Sequence, residues 1–264
     1  MWLSLFFLFS GLSVANSQNA PRNELELKLG RHWMEALRNT SHSGSSGALN
    51  GWRPGAFAAE CAFTYRLDPK WAFGVMLSLT DAPFTYVYEK DYALLGYPEV
   101  GKRLNKEVLE HQWLPGLSLG LGRRWELGSR WGFMLKAHYG IQFMNGSTTR
   151  YREFSLSSDP DSAQLTLVRM DSFNEGGGLL PFIRIGASLD RMFTNWNRLG
   201  LEVFALYSFR RDTFRSSYML YPGTSGESSG TIEGGVSHAG LRLSYALTWG
   251  PPKDPAYLRR AARQ

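Results

Sequence analysis

The residues best suited to catalysis are histidines and a serine in the connections between apolar segments. Acyl-transfer chemistry needs a base, a hydroxyl and an orienting acid close together. The candidates are His32, His42, His111, His238 and Ser237. No spacing of a catalytic triad is visible among them, so we expect solvent-exposed loop and rim residues. The sequence therefore predicts no catalytic residue.

A second group of ionisable residues alternates with apolar residues along the chain. Its members are Glu26, Lys28, Glu60, Arg66, Lys136, Arg184, Asp190, Glu202, Arg210 and Arg242. Charges enclosed by protein must be paired or hydrated, because an unpaired buried ion is costly. If the alternate positions enclose a space, the pattern predicts a structural network of charges. The alternative is a narrow polar conduit.

Composition limits the class of protein. Of 264 residues, 43% are hydrophobic and 14% aromatic, yet the mean hydropathy is −0.27. Membrane-spanning helices need about 20 consecutive apolar residues, which the chain lacks. Membrane-spanning strands alternate apolar and polar residues and have a mild average hydropathy.

The net charge of +6 is scattered without a nucleic-acid motif, and the single cysteine, Cys61, excludes a disulfide framework and a cysteine metal cluster. We expect no nucleic-acid partner, no metal and no cofactor.

The first residues predict export. Trp2 to Val14 are apolar apart from serines and glycine, and Ala15-Asn16-Ser17 places small residues before a possible cut at Gln18. This is the pattern of a secretory signal peptide, here residues 1–17, whereas a membrane anchor or a buried strand is the alternative. Residues 18–250 then form one domain, and 251–264 form a short basic tail.

The remaining chain reads as eight segments of period two, which predicts strands. In the second segment, Phe57, Ala59, Cys61, Phe63 and Tyr65 alternate with small and polar residues. Equivalent segments begin near residues 24, 71, 117, 131, 183, 199 and 241. The connections at 31–54, 80–112, 144–178 and 211–235 are long, and those at 68–70, 126–130 and 191–198 are short. Long loops on one side and short turns on the other are typical of outer-membrane barrels.

The occupants of the two faces distinguish a membrane barrel from a soluble, lipocalin-type barrel. The polar face holds many small residues, such as Ala58, Gly74, Gly120, Gly140 and Gly200. These would form a poor water-facing surface, but they suit the crowded interior of an eight-stranded barrel. Aromatic residues cluster at both ends of the apolar face, as in the girdles at the two membrane interfaces. The sequence predicts an all-β, closed antiparallel up-and-down transmembrane β-barrel of eight strands, with ten strands as the alternative.

In pattern and topology, residues 22–249 resemble the small outer-membrane barrels of Gram-negative bacteria, the OmpA/OmpX type and its "outer membrane protein beta-barrel domain" relatives. The most specific element is the last strand, where Leu241, Leu243, Tyr245, Leu247 and Trp249 look like the signal that the barrel-assembly machinery reads. That signal commonly closes the chain, whereas here Gly250 to Gln264 follow it. The resemblance implies an outer-membrane location with contacts to lipid and lipopolysaccharide.

Function is less determined than fold. We expect a non-enzymatic barrel with a structural, adhesion or partner-binding role, in which long loops present residues such as Tyr86, Tyr151 and Phe154 to an extracellular or envelope protein. One alternative is a lipid-A-modifying enzyme of the deacylase or acyltransferase type. The His-x-Ser spacing of the deacylases is absent, since Gly240 follows His238 at that distance. A narrow channel, or an accessory barrel of secretion or transport, is the second alternative.

Overall fold

A computed structural model describes residues 23–43, 50–53, 55–68, 70–91, 102–128, 130–145, 150–156, 165–173, 178–193, 197–211, 213–220 and 228–249. Fourteen strands make up these ranges: β1 Asn23–Met34, β2 Arg38–Ser43, β3 Asn50–Trp52, β4 Ala56–Arg66, β5 Trp71–Asp91, β6 Lys102–Leu127, β7 Trp131–Met144, β8 Arg150–Leu156, β9 Leu165–Phe173, β10 Gly178–Met192, β11 Arg198–Ser208, β12 Phe214–Leu220, β13 Ser228–Gly234 and β14 His238–Trp249. No helix in the described part of the chain is long and apolar enough to cross a membrane. The predicted signal peptide and basic tail lie outside the described residues.

Eight of the strands close into a ring. Antiparallel pairing runs in the order β1, β4, β5, β6, β7, β10, β11 and β14, and β14 pairs with β1 from Asn23↔Trp249 to Met34↔His238. Closure leaves no free edge in this part of the sheet, which is how a membrane-spanning sheet satisfies its backbone hydrogen bonds. The predicted closed antiparallel barrel of eight strands is confirmed.

Residue parity separates the two surfaces of this barrel. In β14 the side chains alternate strictly, so that Arg242 is 1% exposed while Leu243 is 57% exposed. The other barrel strands follow the same rule, with even-numbered residues in the lumen and odd-numbered residues outside. The outward face is a continuous belt of Leu, Ile, Val and aromatic residues, which would be a large apolar patch on a soluble protein. The barrel therefore crosses a membrane with its odd-numbered face in contact with lipid.

Aromatic side chains mark both margins of this belt. At the end with the short connections, which we call the turn end, lie exposed Tyr65, Trp71, Trp131 and Trp249. At the opposite end, the loop end, lie exposed Trp33, Phe57, Trp113, Tyr139, Phe143 and Tyr207. Amphipathic rings prefer the level of the lipid headgroups. The two groups therefore mark the two interfaces of the bilayer.

The described residues of the long connections are mostly strand rather than irregular loop. β5 and β6 continue past the belt as a hairpin that pairs as far as Asp91↔Lys102, with an irregularity between Phe84 and Thr85. The other three long connections contribute a separate five-stranded sheet, which we call the outer sheet, in the order β2, β13, β12, β9, β8. A single sheet that joins three of the long connections was not expected from the sequence.

Between β6 and β7 the described part of the wall is interrupted at the loop end. β6 pairs with β7 only from Leu127↔Trp131 up to Gly116↔Gln142. Above that level, as far as the structure describes the chain, β6 pairs with β5 alone and β8 pairs only with β9. Gln112 Nε2 donates to the Asn145 backbone oxygen across this opening at 3.3 Å.

Candidate functional site

The centre of the lumen holds a network of buried ion pairs that crosses the barrel. Its members are Glu26 and Lys28 on β1, Glu60 on β4, Lys136 on β7, Arg184 on β10, Glu202 on β11 and Arg242 on β14. All are at most 8% exposed. Alternation aims each side chain inward, because every member occupies an even-numbered position of its strand. The network ties together six strands that are not all neighbours.

Glu202 is the most connected residue of this network. Its carboxylate accepts a hydrogen bond from Lys28 Nζ at 2.7 Å and also binds Arg184, and Lys136 Nζ lies 3.5 Å away. Lys136 Nζ also donates to both oxygens of Glu26, at 2.8 and 2.9 Å. Charge-assisted bonds of this kind are stronger than neutral ones, and removing one partner leaves a costly buried charge.

Glu60 forms the second node. It accepts a hydrogen bond from Arg184 Nη1 at 2.7 Å and forms an ion pair with Arg242. Both guanidinium groups also lie over the Phe204 ring, at 4.7 Å for Arg184 and 3.5 Å for Arg242. The aromatic face adds a cation–π attraction at a place from which water is excluded.

A smaller charged cluster lies towards the turn end. Asp190 accepts hydrogen bonds from Arg124 Nη1 at 3.2 Å and from Arg198 Nη1 at 3.3 Å. Glu24 forms an ion pair with Arg198, and Arg66 Nη2 lies 3.7 Å from its carboxylate. All of its members except Asp190 line a cleft together with Thr64, Lys70 and Trp71. Water can therefore reach its margin.

The structure brings together nine of the ten charged residues expected in the lumen, and Arg210 is the exception. Arg210 follows the end of β11 and is only half-buried, so it lies at the rim. Glu24, Arg124 and Arg198 were missed, although their even numbers carry the same signal. Seven cations (Lys28, Arg66, Arg124, Lys136, Arg184, Arg198 and Arg242) against five carboxylates (Glu24, Glu26, Glu60, Asp190 and Glu202) give these clusters a formal charge of 7 − 5 = +2.

Beyond the charges, towards the loop end, the lumen is closed by apolar side chains. Met34, Ala82, Leu114, Met144, Leu180 and Val236 form one buried cluster, which we call the apolar plug. Leu114 and Leu180 have no exposed surface. Packed aliphatic side chains leave few gaps wide enough for water. The plug therefore separates the charge network from the outer sheet.

The histidines do not behave as expected. His32 and His238 were expected at an exposed rim, but they are 0% and 5% exposed, and their rings lie 4.6 Å apart in the lumen. The reason is that the alternation of inward and outward side chains extends to the loop end of both strands, as far as Met34 in β1 and His238 in β14. His32 Nε2 bonds the Asp81 backbone oxygen at 2.9 Å, and His238 Nδ1 bonds that of Val236 at 2.8 Å.

The remaining candidates for catalysis do not form a triad. His111 is exposed and its Nδ1 lies 3.1 Å from both carboxylate oxygens of Asp81. Ser237 Oγ accepts a hydrogen bond from the Ser208 backbone nitrogen at 3.1 Å, and no hydrogen bond joins it to a described histidine. The side chain of His42 lies outside what the structure describes. Within the described ranges, no group of three or more His, Cys, Asp and Glu residues could hold a metal ion.

Comparison with known proteins gives structural likeness without sequence likeness. No family model matches the chain, and no curated protein matches it. A similar solved structure is the outer membrane protein OprG from Pseudomonas aeruginosa, which is 10% identical, with 89% of this chain and 100% of that chain covered and a TM-score of 0.45. The outer membrane protein AlkL is 12% identical, with 92% of this chain and 98% of that chain covered and a TM-score of 0.35. A major outer membrane protein from Thermus thermophilus is 12% identical, with 86% of this chain and 99% of that chain covered and a TM-score of 0.34.

These scores are too low to carry an argument about function, so the conclusion rests on the geometry of the barrel. A closed antiparallel ring, an apolar belt and an aromatic rim at each end are the properties of outer-membrane barrels. The narrower likeness to the OmpA/OmpX type stays a prediction. This chain is an outer-membrane β-barrel of eight strands whose lumen holds a network of ion pairs and, towards the loop end, the buried apolar plug.

Proposed function

We propose that the chain is a non-conducting, non-enzymatic barrel that anchors a β-sheet outside the membrane and presents it to a protein partner. The observation that carries this proposal is the apolar plug, in which Leu114 and Leu180 are fully buried between the charge network and the outer sheet. A lumen closed in this way has a mechanical role. Its cross-lumen ion pairs hold the strands that support the outer sheet.

The arrangement of the outer sheet supports partner binding. Its strands come from three different connections, so they offer one surface rather than separate loops. β8 is an edge strand with β9 as its only partner in the described sheet. An exposed edge has unpaired backbone groups and can accept an additional strand from another protein.

Conductance tests the closed lumen. Purified protein in planar bilayers should give no steady current, because eight strands enclose only enough space for side chains. The double variant Leu114→Ala/Leu180→Ala should leak, and its current should favour anions, because the charges below the plug still sum to +1 when Glu126 beside Arg66 is added to the two clusters. Leu119→Ala/Leu201→Ala, on the lipid-facing surface, is the matched control. A steady current from the wild type would overturn the proposal.

Site-specific crosslinking tests the partner. A photoreactive residue at Tyr151 on β8 should form a discrete adduct in intact cells, and one at Lys70 in the turn end should not form the same adduct. The absence of any adduct along β8 would contradict the proposal.

Uptake of a small apolar molecule through the wall is the second candidate. The specific observation is the end of β6–β7 pairing at Gly116↔Gln142, close to the plug residues Leu114 and Met144. Cysteines introduced at Gln112 and Asn145, in a Cys61→Ser background, would close this opening with a disulfide bond when oxidised. Uptake through the opening should stop on oxidation and return on reduction. Unchanged uptake would exclude this route.

A further inference from the structure

The lipid-facing surface of the barrel carries almost no charge. Its outward, odd-numbered residues lie in 23–33, 57–65, 71–79, 113–127, 131–143, 179–191, 199–207 and 239–249. Only three of these described residues are charged at neutral pH, and all three are arginines: Arg31, Arg123 and Arg191. A charged side chain that faces lipid is costly at the midplane and tolerated near the interfaces. Each of these arginines must therefore satisfy its charge at the level of the headgroups.

Arg123 is the deepest of the arginines at the turn end. It pairs with Trp71 on β5 and with Leu135 on β7. Trp125 and Trp131 lie further out towards the turn end, so Arg123 stands on the bilayer side of these rings. Arg191, in contrast, pairs with Trp131 at the very margin of the belt.

Two indole rings fix the position of this guanidinium. The Cζ atom of Arg123 lies 5.4 Å from the centre of the Trp71 ring and 5.0 Å from that of Trp125. Its Nε is buried and has no hydrogen-bond partner among the described residues. Cation–π contacts attract the charge but satisfy none of the five N–H donors of the group.

The neighbouring turn holds Trp71 beside Arg123. Asp68 Oδ1 accepts hydrogen bonds from the backbone nitrogens of Lys70 at 2.6 Å and Trp71 at 2.7 Å, which fixes the turn. The Lys70 backbone oxygen also accepts from the Arg124 nitrogen at 2.8 Å, so the turn is attached to β6 beside Arg123. Lys70 is exposed, and no carboxylate lies among the outward residues of the ranges given above.

We propose that Arg123, with Trp71 and Trp125, binds the phosphate of a phospholipid in the leaflet at the turn end. A guanidinium offers a planar fork of donors that matches phosphate, and the rings set it at headgroup depth. The missing acid is thus supplied by the membrane. The site goes beyond the proposed function and is independent of it, since it requires only the barrel and its belt.

Native mass spectrometry of protein released from nanodiscs tests this site. In nanodiscs of phosphatidylethanolamine and phosphatidylglycerol, the wild type should retain one phospholipid, and Arg123→Gln should retain about 10- to 100-fold less, as expected for the loss of hydrogen bonds to a charged group. Arg191→Gln is the matched control and should retain the lipid, because it removes a rim arginine without the two indole contacts. Equal retention by wild type and Arg123→Gln would overturn the proposal.

Other molecules offered in the same experiment identify the ligand. Diacylglycerol, which lacks the phosphate, should not be retained, and millimolar inorganic phosphate should not displace the lipid. Displacement by inorganic phosphate, or preferential retention of lipid A, would overturn the assignment to a phospholipid. Heat-modifiable migration must be unchanged in each variant. If Arg123→Gln does not fold, Trp125→Leu, which removes one of the two rings beside Arg123, takes its place with a partial loss expected, and full retention by that variant would contradict the site.

Discussion

Two neighbouring residues of β14 meet opposite environments. Arg242 lies in the lumen, paired with Glu60 and stacked on Phe204, whereas the side chain of Leu243 is directed to the lipid. The same alternation recurs around the barrel, so adjacent residues of each barrel strand point alternately into the charged lumen and out to the apolar exterior. The polarity is the reverse of that in a soluble barrel with an apolar core. This comparison shows that the charge network replaces the apolar core as the packed interior.

The largest effect should come from breaking the interior at its most connected residue. Glu202→Gln removes a carboxylate that binds Lys28 and Arg184 and leaves buried cations without it, so we expect a loss of about 3–5 kcal/mol in the free energy of unfolding. Urea unfolding in lipid vesicles measures the loss. Glu233→Gln is the control, because its ion pair with Arg215 is partly exposed and should contribute at most about 1 kcal/mol. Equal effects of the two variants would refute a structural role for the network.

A smaller effect should follow from placing a charge on the exterior. Leu243→Arg places a guanidinium next to Arg242 in the sequence, but on the surface that faces the lipid. Near the midplane this should lower the free energy of unfolding by about 2–4 kcal/mol. Leu127→Arg, at the end of β6, should cost only about 0–1 kcal/mol because that position lies at the interface. The same unfolding measurement applies. Tolerance of Leu243→Arg would mean that this face does not contact lipid.

The smallest effect concerns volume rather than charge. A Cβ atom at Gly140 would clash with the Leu117 backbone oxygen and with Ser118, so Gly140→Ala should cost about 1–3 kcal/mol by overfilling the lumen. Ala205→Leu adds more volume on the lipid-facing surface and should have no measurable cost. Assembly can be followed by the fraction that migrates as folded barrel on unboiled gels. If both variants assembled equally well, the lumen could not be packed as described.

Most of the barrel could be predicted from the sequence because a strand has a period of two. Alternation alone indicated the eight strands and the inward parity, and parity alone would also have identified Glu24, Arg124 and Arg198. Those three were missed because they lie near strand ends, where the apolar neighbours become less regular. Arg210 was included because the alternation was extended past the end of β11 at Ser208.

The contacts within the lumen could not be predicted in the same way. Glu202 and Lys28 are 174 residues apart, and their meeting depends on the stagger between strands that are not adjacent in sequence. The apolar plug could not be predicted for a related reason, since Met34 and Ala82 lie in stretches that read as loop. The outer sheet depends on pairing between connections, for which short-range periodicity has no signal.

The pairing of β1 with β14 has a consequence for the kinetics of folding. The two strands that close the ring lie at opposite ends of the barrel sequence, so the contact Asn23↔Trp249 has nearly the greatest separation the domain allows. Local hairpins such as β4–β5 need only short loops to close, whereas this seam must wait for every intervening strand. Until the seam forms, both terminal strands are open edges that can pair with other chains. The slowest folding step and the greatest risk of aggregation therefore fall on the same pair of strands.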